Sequence, residues 1–318
     1  MKTAFYQKIN KGIDTFFFNA APSNSLYIFR IVVAIFCIVH IGVIAEDLLD
    51  LYGRNGYVRA ELVEAVLSAQ MPRINWVSDW MMGFGFSEQA CIYLLFSLYL
   101  IALFGLLVGF CTRISAMGAC FIHLLFVGSG QLFAYGVDFF TSTCLFYCVF
   151  MPVGKGFSID SLLFKRTKIN HALNAFSVRV LQLHLCLVYF FGGFCKMLGT
   201  QWWDGEAMWR IFMQNGFEVS WLAQMPWLAA ILSCSVLVLE TTYPFFIYYS
   251  KTRSFWLISI VLMHIGIGFT LNLWFFASIM IIINVSAFGS YLLQDMPQFW
   301  KSKERYSTHI YSLNFKNS

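Results

Sequence analysis

Residues 89–110 have the sequence QACIYLLFSLYLIALFGLLVGF, which contains no charged side chain. Because about 20 mostly apolar residues in a helix cross the hydrocarbon core of a bilayer, this stretch predicts a membrane-spanning helix. The rest of the chain is similar: 59% of its 318 residues are hydrophobic and 12% are charged, whereas a soluble domain carries roughly a quarter charged residues. The composition predicts an all-α integral membrane protein. It excludes disordered, disulfide-rich secreted and nucleic-acid-binding classes.

Eight segments are apolar enough to be candidate spans. They cover approximately residues 25–45, 89–110, 114–135, 138–152, 177–199, 226–249, 254–270 and 273–290. The fourth segment is short, and only the polar Asn272 separates the last two. The phenylalanine cluster at 16–18 is too short for the core of a signal peptide, so we expect the first span to be retained as an anchor.

Basic residues are concentrated on one side of this arrangement. With a cytoplasmic N-terminus, the outer segments contain only Arg54, Arg59, Arg73 and Arg210, and the remaining loop Lys and Arg residues lie inside. Cytoplasmic loops are enriched in Lys and Arg, so we predict about eight spans with both termini cytoplasmic. Seven spans would move the basic C-terminal cluster outside. The predicted parts are a cytoplasmic segment 1–24, a transmembrane domain 25–290 and a cytoplasmic tail 291–318.

Two outer segments, 46–88 and 200–225, are long enough to fold. The first contains the turn sequence YGRNGY at 52–57, followed by a possible short helix at 60–70. The second contains Trp202, Trp203 and further tryptophans, a residue that is common at membrane interfaces.

Seven ionisable side chains fall within or at the ends of the spans, where charge is costly. They are Arg30, His123, Asp138, His184, Lys196, Glu240 and His264. Lys196 follows the apolar sequence YFFGGFC at 189–195. Apolar surroundings disfavour the charged form of a lysine, which is how a lysine becomes a general base. The alternative is that Lys196 extends its stem to the outer interface.

The other ionisable residues also have structural explanations. His264 and His123 could face an outer cavity with Lys196, or bond between helices. Asp138 could cap the fourth span, and local hydrogen bonding around a proline kink could satisfy Glu240. Arg30 could extend towards the inner interface, and we expect His184 to have a packing role.

The cysteine pattern and the known motif spacings predict no metal site. None of the nine cysteines forms a CxxC pair, and all lie in or beside apolar runs. Buried free cysteines are commonly small apolar fillers, so we expect a structural role. No zinc-protease or dinucleotide-binding motif is present.

The stretch around Lys196 resembles the signature of the vitamin K-dependent gamma-carboxylase family. Its bacterial members are the horizontally transferred transmembrane (HTTM) domain proteins. The similar stretch is Tyr189-Phe190-x-x-Gly193-x-x-Lys196, then Trp202 or Trp203, then Asp204-Gly205-x-x-Met208. Weaker matches in the same order are Leu26-Tyr27-x-Phe29-Arg30, Asp50-Leu51-Tyr52-x-x-x-Gly56, Gly136-Val137-Asp138, Phe150-x-Pro152-x-Gly154 and His264.

The resemblance implies a carbon–carbon lyase activity. In the carboxylases the matching lysine is taken to deprotonate vitamin K hydroquinone; after oxygen addition a strong base removes the gamma proton of a substrate Glu, and the carbanion captures CO2. By this resemblance Lys196 is the base, and His264 and Asp138 are supporting catalytic groups. The implied cofactor is a reduced naphthoquinone, with no metal, and the site opens outward. The candidate substrate-binding residues are Trp202, Trp203, Asp204, Glu240 and Arg30.

The chain also differs from the carboxylases. They carry a large lumenal domain that binds the substrate propeptide, so we expect a soluble docking partner here, and the family's histidine stretch is replaced by TRIS at 112–115. Small bacterial members also resemble the membrane proteins of the sporulation-delaying-peptide B type. The alternative is therefore a non-enzymatic maturation, export or immunity factor for a secreted peptide in a bacterial inner membrane. A transporter is disfavoured because the halves show no repeat.

Overall fold

The computed structural model describes residues 2–19, 24–66, 71–164, 170–214, 221 and 224–295, and no strand occurs among them. The helices, in chain order, are α1 Lys2–Phe18, α2 Asn24–Val43, α3 Leu48–Tyr52, α4 Ala60–Val66, α5 Ile74–Met82, α6 Glu88–Val108, α7 Thr112–Ser129, α8 Gly136–Phe150, α9 Ile159–Leu163, α10 His171–Met197, α11 Thr200–Trp203, α12 Glu206–Gln214, α13 Pro226–Phe246, α14 Ser250–Leu271, α15 Trp274–Asn284, a π-helical turn Val285–Gly289 and α16 Ser290–Asp295.

Seven of the described helices are long and apolar enough to cross a membrane. They are α2, α6, α7, α10, α13, α14 and the combined helix Trp274–Leu292. The prediction of an all-α, multi-pass membrane protein is therefore confirmed. The fourth predicted span corresponds to α8, whose 15 residues fall short of the roughly 20 that a perpendicular crossing requires.

The chain divides into two compact units. The first contains Met1–Gln182 and His264–Ser286, and the second contains Leu183–Met263 and Ala287–Ser318. In the first unit, α2, α6, α7, α8 and α15 pack around a common core. In the second unit, the short helices α11 and α12 pack on α13.

The N-terminal helix α1 is a feature that the sequence analysis did not predict. The rings of Phe17 and Phe18 both lie 5.9 Å from the ring of Phe176 in α10. The guanidinium of Arg179, one turn along α10, donates from Nε to the carbonyl of Phe16 at 3.0 Å. The phenylalanine cluster at 16–18 therefore fixes the end of α1 on α10.

The predicted outer segment 46–88 is folded onto the start of α6. Its turn at 52–57 is present, and α4 occupies part of the predicted helix 60–70, of which residues 67–70 lie outside the described ranges. The backbone N–H of Arg54 donates to the Glu88 carboxylate at 2.7 Å, and the Arg54 guanidinium pairs with Asp79 of α5. Helix α5 was not predicted, because its nine residues carry too short a pattern.

A buried arginine organises the connection between α6 and α7. The side chain of Arg30 is fully buried, and it donates to the carbonyls of Leu106 at 2.9 Å and Phe157 at 2.5 Å. Between the two helices, Gly109 adopts a positive φ of 70°, and a Cβ atom there would collide with the Arg30 guanidinium. A glycine is required at this position because it alone meets both conditions without strain.

Asp160 completes this connection by capping α7. Its carboxylate accepts hydrogen bonds from the backbone N–H of Cys111 at 2.8 Å, and from the N–H and hydroxyl of Thr112 at 2.7 Å each. Burial raises the pKa of Asp160, but these hydrogen bonds and the positive charge of Arg30 outweigh it and hold the pKa below its ordinary value. The ionised form is therefore the form that stabilises the fold.

We predict that Asp160 makes the stability of the protein depend on pH. A carboxyl whose pKa is depressed by folding contributes stability above its unfolded pKa, which is about 3.9, and loses it as the pH falls through the folded value. The unfolding temperature of the wild type should exceed that of Asp160→Asn at pH 6. The difference should shrink progressively below about pH 4. A difference that is constant between pH 6 and pH 2.5 would contradict this role.

Candidate functional site

The second unit contains an ion pair between two membrane helices. Lys196 lies in the last turn of α10, and Glu240 lies inside α13. The Lys196 Nζ atom donates to both carboxylate oxygens of Glu240, at 2.6 Å to Oε1 and 2.5 Å to Oε2. Both are sequence-predicted site residues, but nothing in the sequence alone pairs them.

Two glycines allow α10 to approach α13 at this point. A Cβ atom at Gly193 would clash with the side chain and backbone of Thr241, and one at Gly192 would lie 3.5 Å from Oε2 of Glu240. Small residues bring helix backbones close together in a membrane. The Gly192-Gly193 sequence therefore positions the lysine ammonium group against the carboxylate.

Local hydrogen bonding around a proline kink, the explanation that the sequence suggests for Glu240, is not what the structure shows. Pro244 lies four residues after Glu240 and lacks the N–H that would bond to the Glu240 carbonyl. The hydroxyl groups of the two following threonines donate to backbone carbonyls one turn earlier in α13. Thr241 donates to the carbonyl of Leu237 at 2.6 Å, and Thr242 donates to the carbonyl of Val238 at 2.5 Å. The carboxylate is thus satisfied by Lys196 and not by local bonding around the proline.

The segment after α10 contributes aromatic and polar groups to the site. The Nζ atom of Lys196 lies 5.4 Å from the ring centroid of Trp202, within cation–π range. The indole N–H of Trp203 donates to the Met197 carbonyl at 2.9 Å, which ends α10. Asp204 accepts from the backbone N–H of Glu206 at 2.9 Å, at the start of α12. Trp202 thus contacts the amine, and Trp203 and Asp204 fix the backbone around it.

The two side chains of the pair are not equally exposed. The Lys196 side chain is 29% exposed, and that of Glu240 is 7% exposed. An ammonium group in an ion pair has no lone pair and cannot itself accept a proton. While the pair is ionised, the proton-accepting atoms of this site are the carboxylate oxygens, and the partly exposed lysine is the group that a bound molecule would meet first.

The other predicted catalytic residues belong to the first unit. Asp138 accepts from the backbone N–H of Tyr135 at 3.0 Å and so caps α8. The ring of His123 links α6 to α8, since its nitrogens lie 3.2 Å from the Tyr99 hydroxyl and 3.2 Å from the Asp138 carbonyl. Burial, and to a smaller extent the charge of Asp138, raise the pKa of Tyr52.

His264 and Arg30 are also in the first unit. His264 is buried, and its ring lies 5.8 Å from that of Phe276. Arg30 bonds to carbonyls near α9, as described above. Supporting catalytic roles for His264 and Asp138 and substrate binding by Arg30 stay predictions.

The part of the chain that the structure describes contains no group of three or more His, Cys, Asp or Glu side chains that could hold a metal ion. All nine cysteines are free thiols, and five of them are buried. Sequence reasoning missed the contribution of Asp160. The only sequence signal for Asp160 is that an acidic residue lies two positions after Ser158, at the start of the short helix α9.

Comparison with known proteins identifies the family of the chain. The family profile described as HTTM domain matches residues 18–290, most of the chain. No curated protein and no solved structure matches the chain significantly.

We predict strong energetic coupling between Lys196 and Glu240. Lys196→Met leaves a buried carboxylate without its cation, which costs up to about 3–5 kcal/mol. Adding Glu240→Gln should restore most of the loss, with a coupling energy of about 1–3 kcal/mol. Unfolding in mixed detergent micelles measures the cycle, and Lys251→Met, at an exposed lysine of the same unit, is the control. Additive effects of the two substitutions would contradict the pairing.

Proposed function

The chain belongs to the HTTM domain family, and from this premise we propose that it is a gamma-carboxylase-like membrane enzyme that deprotonates a hydroquinone at the Lys196–Glu240 pair. The observation that carries the proposal is the ion pair itself, at the end of a membrane span. Charge at that depth is expensive, and it is expected to mark a functional pathway or site.

The pair can move a proton without creating net charge. Glu240 accepts the proton of a bound hydroxyl group at Oε1 or Oε2. Lys196 keeps its own proton and places its positive charge next to the oxygen that has lost one. The sum of charges is unchanged, which matters because an uncompensated charge in a low-dielectric site is costly.

The residues around the pair fit a planar apolar ring that carries an acidic hydroxyl. The Trp202 indole lies beside the amine, and the Trp203 side chain is 53% exposed. These two residues would hold the ring, and Lys196 would hold its oxygen. When bound, a reduced naphthoquinone would supply, after reaction with oxygen, the strong base that removes the gamma proton of a peptide Glu before CO2 adds.

A groove elsewhere in the second unit does not contribute to this site. It has a volume of about 470 Å³ and is lined by residues of α13 and α14, including Val238 and Trp256. Val238 is 58% exposed, and at 100° per residue it lies on the face of α13 opposite Glu240. The groove therefore faces the surroundings of the helix and not the ion pair.

We further propose that the Lys196 end of α10 faces outward and that both termini are cytoplasmic, in the cell membrane. The support is the distribution of loop charge, because Lys and Arg are concentrated in cytoplasmic loops. Among the residues of the predicted outer segments, only four arginines carry positive charge. An outward site would meet a peptide after its export.

The second candidate is a non-enzymatic maturation, export or immunity factor for a secreted peptide. The observation that favours it is the exposed aromatic surface of the segment 46–88. Trp80 and Phe84 are each 68% exposed, and Phe86 is 53% exposed. Exposed aromatic residues of this size are typical of surfaces that bind partners or membranes.

We predict that the purified protein forms a quinone epoxide from a reduced naphthoquinone in the presence of oxygen and bicarbonate. Glu240→Gln should lower the rate by about 10²–10⁴, the usual contribution of a general base. Lys196→Ala should also lower the rate, because the positive charge next to the deprotonated oxygen is lost. Mass spectrometry of the extracted quinone measures the product. The control variant is Lys251→Ala, which changes an exposed lysine and should leave the rate unchanged.

Two outcomes would count against the enzyme. Wild-type protein that forms no epoxide with any of several quinols would favour the second candidate. Epoxide formation that survives in Glu240→Gln would place the base elsewhere in the chain.

A further inference from the structure

A second feature of the molecule is a pocket within the first unit. It has a volume of about 420 Å³ and is lined by the start of α7, the exit of α8 and helix α9. Helices α6 and α7 pack together, as do α7 and α8, so their ends meet at one face of the membrane. The backbone N–H of Asp160 donates to the Gly109 carbonyl at 2.9 Å, which holds α9 against this face.

Two basic side chains in the pocket are not neutralised. Arg113 and Lys155 line it, both are exposed, and neither forms an ion pair with any residue in the described ranges. Asp160 also lines the pocket, but its oxygens already accept three hydrogen bonds from the start of α7, and the buried charge of Arg30 acts on it. The pocket therefore presents uncompensated positive charge.

The same pocket has an apolar wall that opens to the surroundings. Ile114 is 73% exposed, Phe164 is 65% exposed, and both line the pocket. An inorganic anion would use the basic side chains but leave this wall uncovered. A molecule with an anionic head and an apolar tail matches both parts.

We infer that this pocket binds an anionic phospholipid, with its phosphate between Arg113 and Lys155 and its acyl chains along Ile114 and Phe164. Basic pockets between the ends of membrane helices are known to take anionic headgroups on the cytoplasmic side. The sequence continues after Phe164 with Lys165, Arg166 and Lys168, which adds positive charge to the same region of the chain. The inference is independent of the chemistry at Lys196.

The test uses delipidated full-length protein in a neutral detergent. Binding of phosphatidylglycerol is measured by native mass spectrometry and by the rise in unfolding temperature, with phosphatidylcholine and inorganic phosphate as separate probes. The variant Arg113→Gln/Lys155→Gln removes the two charges of the pocket. The matched control, Lys11→Gln/Lys251→Gln, removes two exposed charges that do not line the pocket.

We predict that phosphatidylglycerol binds the wild type and the control variant equally. It should bind the pocket variant about 30-fold more weakly, at roughly fivefold for each basic residue removed. Phosphatidylcholine and phosphate should bind far more weakly than phosphatidylglycerol. If the pocket variant does not fold, Arg113→Lys/Lys155→Arg keeps both charges and should retain the affinity.

Three results would overturn the inference. Equal binding of phosphatidylglycerol to the pocket variant would place the lipid elsewhere. If phosphatidylcholine bound the wild type as tightly as phosphatidylglycerol does, a negatively charged headgroup would not be required. Loss of binding in the charge-retaining variant, while it remains folded, would show that the two side chains do not act through their charge.

Discussion

A charged side chain within a bilayer has to be neutralised by the protein, because water is not there to do it. This constraint shapes both units of the molecule. In the first, Arg30 is fully buried and bonds to two backbone carbonyls, and Asp160 lies within reach of its charge. In the second, Lys196 and Glu240 neutralise each other. In each unit the charged groups join segments that are far apart in the sequence, so the electrostatic requirement also fixes which helices pack together.

The two arrangements differ in a way that matters for function. Arg30 is enclosed and its donors bond to backbone atoms that cannot titrate, so it is suited to holding α2 against the α6–α7 connection. Lys196 is partly exposed, and its partner is a carboxylate that can take up a proton. Gly192 and Gly193 keep the two helices close, and the indole of Trp202 covers part of the amine. Proton exchange with a bound molecule is therefore proposed for the second arrangement and not for the first.

The sequence was informative where a single segment contains the whole signal. Composition predicted the all-α membrane class, and seven of the eight predicted spans are long apolar helices. The position of Lys196 after an apolar run singled out one member of the ion pair. It was less informative where the signal is divided between distant segments. Lys196 and Glu240 are 44 residues apart, and neither position identifies the other without the packing of α10 on α13. Asp160 and Thr112 are 48 residues apart. Helix α1 was missed because its anchoring contact, from Arg179, comes from a distant part of the chain, and α5 was missed because its nine residues are too few to show an apolar pattern.

The charge state of Glu240 tests the account most directly, because it reports the ion pair without any substrate. Infrared difference spectra between the wild type and Glu240→Gln isolate the vibrations of this one carboxyl group. The account predicts the two stretching bands of an ionised carboxylate in the wild type, and their replacement by the carbonyl band of a protonated acid in Lys196→Met. A protonated Glu240 in the wild type, or a spectrum that Lys196→Met does not change, would contradict it.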